Sequence, residues 1–152
     1  MKIAIASDHA GFRIKEHLKK ILAAKGREVE DFGCHSEESV DYPDYALKVA
    51  EAVAGNPKTY EFGILCCGTG ACMAIAANKV KGILAATTND VFSAKAAREH
   101  NNVNIISIGG RVVDEKKAEE LVSAFMESTV SNEERHLRRV NKIKQIEEKY
   151  MK

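Results

Sequence analysis

Five short apolar runs, at 2–7, 28–32, 61–66, 83–87 and 103–108, alternate with longer amphipathic segments along the whole chain. Runs of this length suit strands buried on both faces. The segments between them carry helical spacing. Ile14, Leu18, Ile21 and Leu22 fall at i, i+4, i+7 and i+8, and Tyr45, Val49, Ala52 and Val53 repeat the pattern. Ala118, Leu121, Val122 and Phe125 form a third stripe, with Asp114 placed as its N-cap. Gly26 and Gly82 stand where helices should stop. Alternation of this kind predicts an α/β fold, with a five-stranded parallel sheet covered by helices on both faces. A further helix, at about 132–150, carries Leu137, Val140, Ile143 and Ile146 among charges and is long for so compact a domain. It is either a solvated helix or an arm that packs on a partner subunit, and the second reading is the expectation.

With 152 residues and no linker or repeat, a single domain covering 1–152 is expected. A formal net charge of +1 gives no long-range field to favour nucleic acid or a membrane surface. No apolar run approaches the ~20 residues needed to span a bilayer. The opening Met1-Lys2-Ile3-Ala4-Ile5 reads as a strand rather than a signal peptide, so a cytoplasmic location is expected. Of the four cysteines, Cys66, Cys67 and Cys72 lie within seven positions, and no second Cys/His cluster completes a zinc site. No metal and no disulfide framework are expected. Adjacent on a strand, Cys66 and Cys67 point to opposite faces, one toward the core and one toward a site.

Chemistry should gather at the carboxyl ends of the strands. Those positions hold Ser7-Asp8-His9, Cys67-Gly68-Thr69-Gly70, Thr88-Asn89 and Gly109-Gly110-Arg111. The third run delivers a cysteine into a glycine-rich turn that opens a helix at Ala71. Backbone N–H groups there stabilise a thiolate or an oxyanion, which points to carbanion-type chemistry on a small anionic substrate. His100 precedes the fifth strand and so belongs to the opposite rim of its own chain. It is either a surface histidine or a residue that reaches a neighbour's site across a dimer interface. Arg135 and Arg139, four apart on the last helix, share a face that could hold a phosphate. His9 and Arg111 would complete such a clamp. Gly68-Thr69-Gly70-Ala71-Cys72-Met73 lacks the third glycine of a dinucleotide fingerprint, and no Gly-Lys-Ser/Thr is present for a P-loop.

The chain resembles ribose-5-phosphate isomerase B over nearly its full length. The resemblance rests on Ser7-Asp8-His9-Ala10-Gly11, Ser39-Val40-Asp41-Tyr42-Pro43-Asp44-Tyr45, Cys67-Gly68-Thr69-Gly70 and Ile75-Ala76-Ala77-Asn78-Lys79. Arg98-Glu99-His100-Asn101-Asn102, Gly109-Gly110-Arg111 and Arg135-His136-Leu137-Arg138-Arg139 extend it. It implies a Rossmann-like three-layer α/β/α sandwich with an extended C-terminal helix. It also implies a homodimer or tetramer with a site shared between subunits, and interconversion of ribose 5-phosphate and ribulose 5-phosphate without metal or cofactor. Carried over by residue, Cys67 is the implied base and Thr69 handles protons on the substrate oxygens. Gly68, Thr69 and Gly70 N–H groups steady the enediolate. His100 with Asp8 opens the furanose ring, and Asn101 contacts the sugar. His9, Arg111, Arg135 and Arg139 bind phosphate, and Tyr42 joins the substrate-binding set. Some relatives use a glutamate where this chain has Met73. Many carry glycine in place of Cys72, and Gly-Gly in place of Glu133-Glu134. A six-carbon sugar phosphate, allose 6-phosphate or galactose 6-phosphate, is the nearest alternative substrate. A non-catalytic sugar-phosphate sensor is the alternative from another class.

Overall fold

The computed structural model describes residues 1–151. Its strands are β1 (Lys2–Ser7), β2 (Val29–Asp31), β3 (Tyr60–Cys67), β4 (Ala85–Thr87) and β5 (Ile105–Gly109). All pair in parallel, in the order β2-β1-β3-β5-β4. Between and after them run α1 (Phe12–Ala24), α2 (Tyr42–Gly55), α3 (Ala71–Ala77), α4 (Val91–Asn101), α5 (Glu115–Glu127) and α6 (Glu134–Tyr150).

Alternation along each central strand divides the core in two. Ile3 and Ile5 of β1, Ile64 and Cys66 of β3, and Ile106 and Ile108 of β5 face one layer. There they meet Ile14 and Leu18 of α1, Ala94 and Ala97 of α4, and Leu121 and Phe125 of α5. Phe125 sets its edge against Phe62, with ring centroids 5.0 Å apart. Ala4, Ala6, Leu65 and Cys67 face the other layer, where Ala46, Val49, Ala50 and Val53 of α2 and Met73 and Ala77 of α3 cover them. Small residues oppose small residues between β1 and α2, so that helix can lie close to the sheet. The three-layer α/β/α arrangement read from the sequence is thus present.

The element ends differ from expectation in instructive places. Runs 83–87 and 103–108 enter the sheet two residues late, as Ala85–Thr87 and Ile105–Gly109. The Asn104 side chain occupies the missing ladder positions: Leu84 N–H donates to its Oδ1 at 2.9 Å, and its Nδ2 donates to Gly82 O at 2.9 Å. Gly26 does close α1, with φ of 75° and Arg27 N–H on Leu22 O at 2.9 Å. Gly82 does not close a helix, because α3 stops at Ala77 and Gly82 turns the chain toward β4. Asp114 caps α5, accepting Lys117 N–H at 2.8 Å.

α6 begins at Glu134, after an extended strap that returns from α5. Of its apolar stripe only Val140 is buried; Leu137 is 50% exposed and Ile146 60%. No helix among the described residues is long and apolar enough to cross a membrane.

Candidate active site

β1, β3 and β5 end side by side, and each end carries polar groups. After β1, Asp8 is buried and its Oδ1 accepts the N–H groups of Ala10 at 2.9 Å and Gly11 at 3.0 Å. This oxygen therefore shapes the turn into α1, leaving the other for chemistry. His9 accepts Val40 N–H on Nδ1 at 3.2 Å. An Nδ1 used as an acceptor carries no proton, so the neutral ring holds its proton on Nε2. After β5, Gly110 N–H bonds Cys67 O at 2.7 Å and Arg111 N–H bonds Gly68 O at 3.0 Å. The exposed Arg111 side chain runs along Gly68: a Cβ there would lie 3.5 Å from Arg111 Nη1. Tyr42 opens α2 with 39% of its surface exposed.

The loop after β3 is built on two glycines. Gly70 turns the chain at φ of 91°, a left-handed conformation that a side chain would strain. Gly109, opposite Cys67 in the ladder, lets the loop lie directly on the tip of β5. A Cβ on Gly109 would stand 2.7 Å from the Thr69 carbonyl. Thr69 itself is exposed, and its Oγ1 accepts Ala71 N–H at 3.3 Å.

The two thiols at the end of β3 do lie on opposite faces, Cys66 with α1 and α5 and Cys67 with α2 and α3. The expectation that one of them is open to a site needs correction: both have 0% exposure. Packing of Met73 and α2 against the sheet closes the pocket around Cys67. The sulfur nevertheless touches the loop, accepting Gly70 N–H at 3.1 Å. That N–H is accordingly engaged by the sulfur and is not free for an oxyanion. Cys72, the second residue of α3, packs against the same cluster. Burial, together with a hydrogen bond and proximity to the Cys67 thiol, pushes Cys72 up to about 12, so it stays a neutral thiol at ordinary pH. Burial likewise pushes Cys66 far above the usual thiol range.

The remaining predicted residues lie at the other end of the sheet. His100 and Asn101 close α4, ahead of β5, and are exposed. His100 stacks on His136 of α6, with ring centroids 4.3 Å apart and planes tilted by 24°. His136 is buried and shares a 2.9 Å hydrogen bond with Ser131 Oγ through Nδ1. Burial and the neighbouring His100 hold His136 below the usual histidine value. Arg135 and Arg139 project from the start of α6; Arg135 Nε pairs with Glu133 at 3.0 Å, and Arg138 pairs with Glu134. Among the described residues Arg139 forms no ion pair. The structure therefore collects Asp8, His9, Cys67, Gly68, Thr69, Gly70 and Arg111 on one rim, and His100, Asn101, Arg135 and Arg139 on the opposite one. A five-residue strand is roughly 16 Å long, so one chain cannot close the two sets around one small ligand.

Sequence reasoning missed the placement of His136. Its position four before a buried valine on the final helix was the available signal. No group of three or more His, Cys, Asp or Glu among the described residues converges as metal ligands.

Chemistry gathered at the carboxyl ends of a parallel sheet defines an α/β enzyme of a small ligand. Residues 3–143 match the model of the Ribose/Galactose Isomerase family, and the chain belongs to that family. It is 42% identical over 148 residues to ribose-5-phosphate isomerase B of Escherichia coli, covering 97% of each chain. Its fold superimposes on ribose-5-phosphate isomerase B of Clostridium thermocellum with a TM-score of 0.94, at 47% identity and 99% coverage of both chains. The Mycoplasma genitalium ribose-5-phosphate isomerase B, solved with bound ribulose-5-phosphate, gives a TM-score of 0.91 at 38% identity, covering 97% of this chain and 96% of that one.

Proposed function

We propose that this protein interconverts ribose 5-phosphate and ribulose 5-phosphate through an enediolate, with Cys67 as the base and no metal. The observation that carries the reading is the Cys67 sulfur at the end of the central strand, already hydrogen-bonded by Gly70 N–H at 3.1 Å and flanked by the exposed Thr69. Close relatives named as ribose-5-phosphate isomerase B supply the substrate.

The proton to be moved lies beside a carbonyl. In the aldose-to-ketose direction the Cys67 thiolate takes it from C2, the electron pair passes into the enediolate, and the same sulfur returns a proton to C1. Thr69 Oγ1 serves the proton exchange between the two substrate oxygens. Donors aimed at the developing oxyanion lower the barrier most. With Gly70 N–H on the sulfur, the N–H groups of Gly68 and Thr69 take that task. A positioned base contributes about 10²–10⁴-fold. The sulfur has no open face in the single chain, so substrate must displace what covers it; transfer then takes place away from water.

His9 and Arg111 bind phosphate on the same rim. Ring opening by His100 and phosphate binding by Arg135 and Arg139 come from the opposite rim of a second subunit. The exposed Leu137 and Ile146 of α6 support packing of that helix on a partner. With Asp8 Oδ1 tied to backbone, its second oxygen is the one that pairs with His100 across the interface.

Cys67→Ala tests the chemistry. Turnover should fall by about 10²–10⁴-fold while inhibition by inorganic phosphate persists. Undiminished turnover would remove Cys67 as the base. Because the family description also covers galactose isomerases, specificity constants for five- and six-carbon sugar phosphates, compared side by side, test the substrate.

A further inference from the structure

Asn89 follows β4 and has no part in the roles assigned so far. Its carboxamide nevertheless bridges two site elements. Nδ2 donates to Thr69 O at 2.9 Å, and Oδ1 accepts Gly109 N–H at 2.8 Å. A carbonyl can only accept and an N–H can only donate, so these partners determine which way the amide faces.

The Thr69 carbonyl belongs to the same peptide unit as Gly70 N–H. In a planar trans peptide the C=O and N–H point in opposite directions. A bond that holds the oxygen therefore aims the hydrogen, and here the hydrogen lies on Cys67 Sγ at 3.1 Å. The result is a chain from Asn89 Nδ2–H to Thr69 O, across one peptide, to Gly70 N–H and the sulfur. Bonds linked in this way polarise one another, which makes the final donor stronger. The next peptide behaves differently. Thr87 Oγ1 donates to Gly70 O at 3.1 Å, but the N–H of that unit, on Ala71, is directed to Thr69 Oγ1 at 3.3 Å. Two side chains from the end of β4 thus hold the loop, and only one of them is connected to the thiol.

We propose that Asn89 is a positioning residue for Cys67, aiming the Thr69–Gly70 peptide so that its N–H remains on the sulfur. The inference rests on Cys67 being the base. A thiolate gains more from that N–H than a thiol does, so loss of Asn89 disfavours the reactive form. Other ionisable groups around this end of the sheet are Cys66 beside it on β3, Cys72 on α3, Asp8 after β1 with its N–H on Cys66 O, Tyr45 of α2 in the same core layer, and Arg111 after β5 against Gly68. None is altered by substitution at position 89 or 87, so comparing those two sites isolates the peptide link.

Asn89→Leu keeps the side-chain bulk and removes both hydrogen bonds; Asn89→Ala provides the same test if the leucine variant does not fold. Thr87→Val removes the neighbouring strap without touching the link. The pH–rate profile of isomerisation is the readout, with KM and inhibition by inorganic phosphate measured alongside. For the Asn89 variant the acidic limb should move to higher pH by about one unit, the tenfold change that weakening one charge-assisted hydrogen bond produces. KM and phosphate inhibition should stay within about twofold. For Thr87→Val the limb should stay in place even where thermal stability falls. Equal limb positions in the two variants would overturn the role of Asn89. If Cys67→Ala retains turnover, the base assignment fails instead, so the two failures are distinguishable.

Discussion

Gly109→Ala asks how closely the reacting loop must sit on the sheet. The added Cβ would stand 2.7 Å from both the carbonyl carbon and oxygen of Thr69, and 2.9 Å from its Cα, whereas ordinary contact begins near 3.4 Å. All three neighbours are backbone atoms, which cannot rotate aside as a flexible side chain can. The loop must therefore lift by roughly 0.7 Å, and it carries Thr69 and the Gly70 N–H that bonds Cys67. A displacement of about 1 Å costs on the order of 100-fold in rate, so kcat should drop by roughly 30-fold, or about 2 kcal/mol of transition-state stabilisation. Overpacking should also lower stability by about 1–3 kcal/mol. Gly55→Ala is the companion control: a Cβ at the end of α2 meets nothing within 4 Å. That variant should be as active as the parent and about 0.4–1 kcal/mol more stable. Steady-state isomerisation with thermal unfolding of both variants tests the pair. A Gly109→Ala enzyme with kcat within about threefold of the parent would refute the tight seating of the loop.

Mixing Cys67→Ala with His100→Ala subunits should restore one working site per mixed dimer; absence of recovery after verified subunit exchange would count against a shared site. Asp31→Asn should be strongly destabilising at neutral pH, by about 3 kcal/mol, because Lys15 is fully buried with its Nζ 2.6 Å from Asp31 Oδ2. Burial works to raise the Asp31 carboxyl, but Lys15, Lys19 and Gly33 N–H outweigh it and hold it below the usual range. The stabilisation is therefore present above the unfolded carboxylate value of about 3.9 and is lost as pH falls through the lower folded value. Denaturant melts across that acid range should show the gap between variant and parent closing. Cys72, pushed up to about 12, should be alkylated at pH 8 at least about 100-fold more slowly than a free thiol, as read by peptide mass spectrometry. Modification at the free-thiol rate would contradict that environment.

The layers and the strand count were legible in the sequence because apolar runs and helical stripes are local signals. Leu18 and Phe125 fall on buried helix faces for the same reason that their spacing announced. The candidate chemistry at the strand ends was also legible, since a parallel sheet sends every βα turn to one rim. Fine boundaries were not, because a single side chain, Asn104, takes over ladder bonds that the apolar pattern assigned to backbone.

Sequence alone determined that a thiol would end the central strand beside a glycine turn, and that His100 would lie at the far end of its own sheet. Both follow from chain direction and strand period. Only the tertiary structure decided that α2 and α3 would close over the sulfur, that Gly70 N–H would turn to it, and that Asn89 would hold that peptide from across β5. Those features depend on atoms far apart in the chain meeting within 3 Å or so, and no local periodicity encodes such distances.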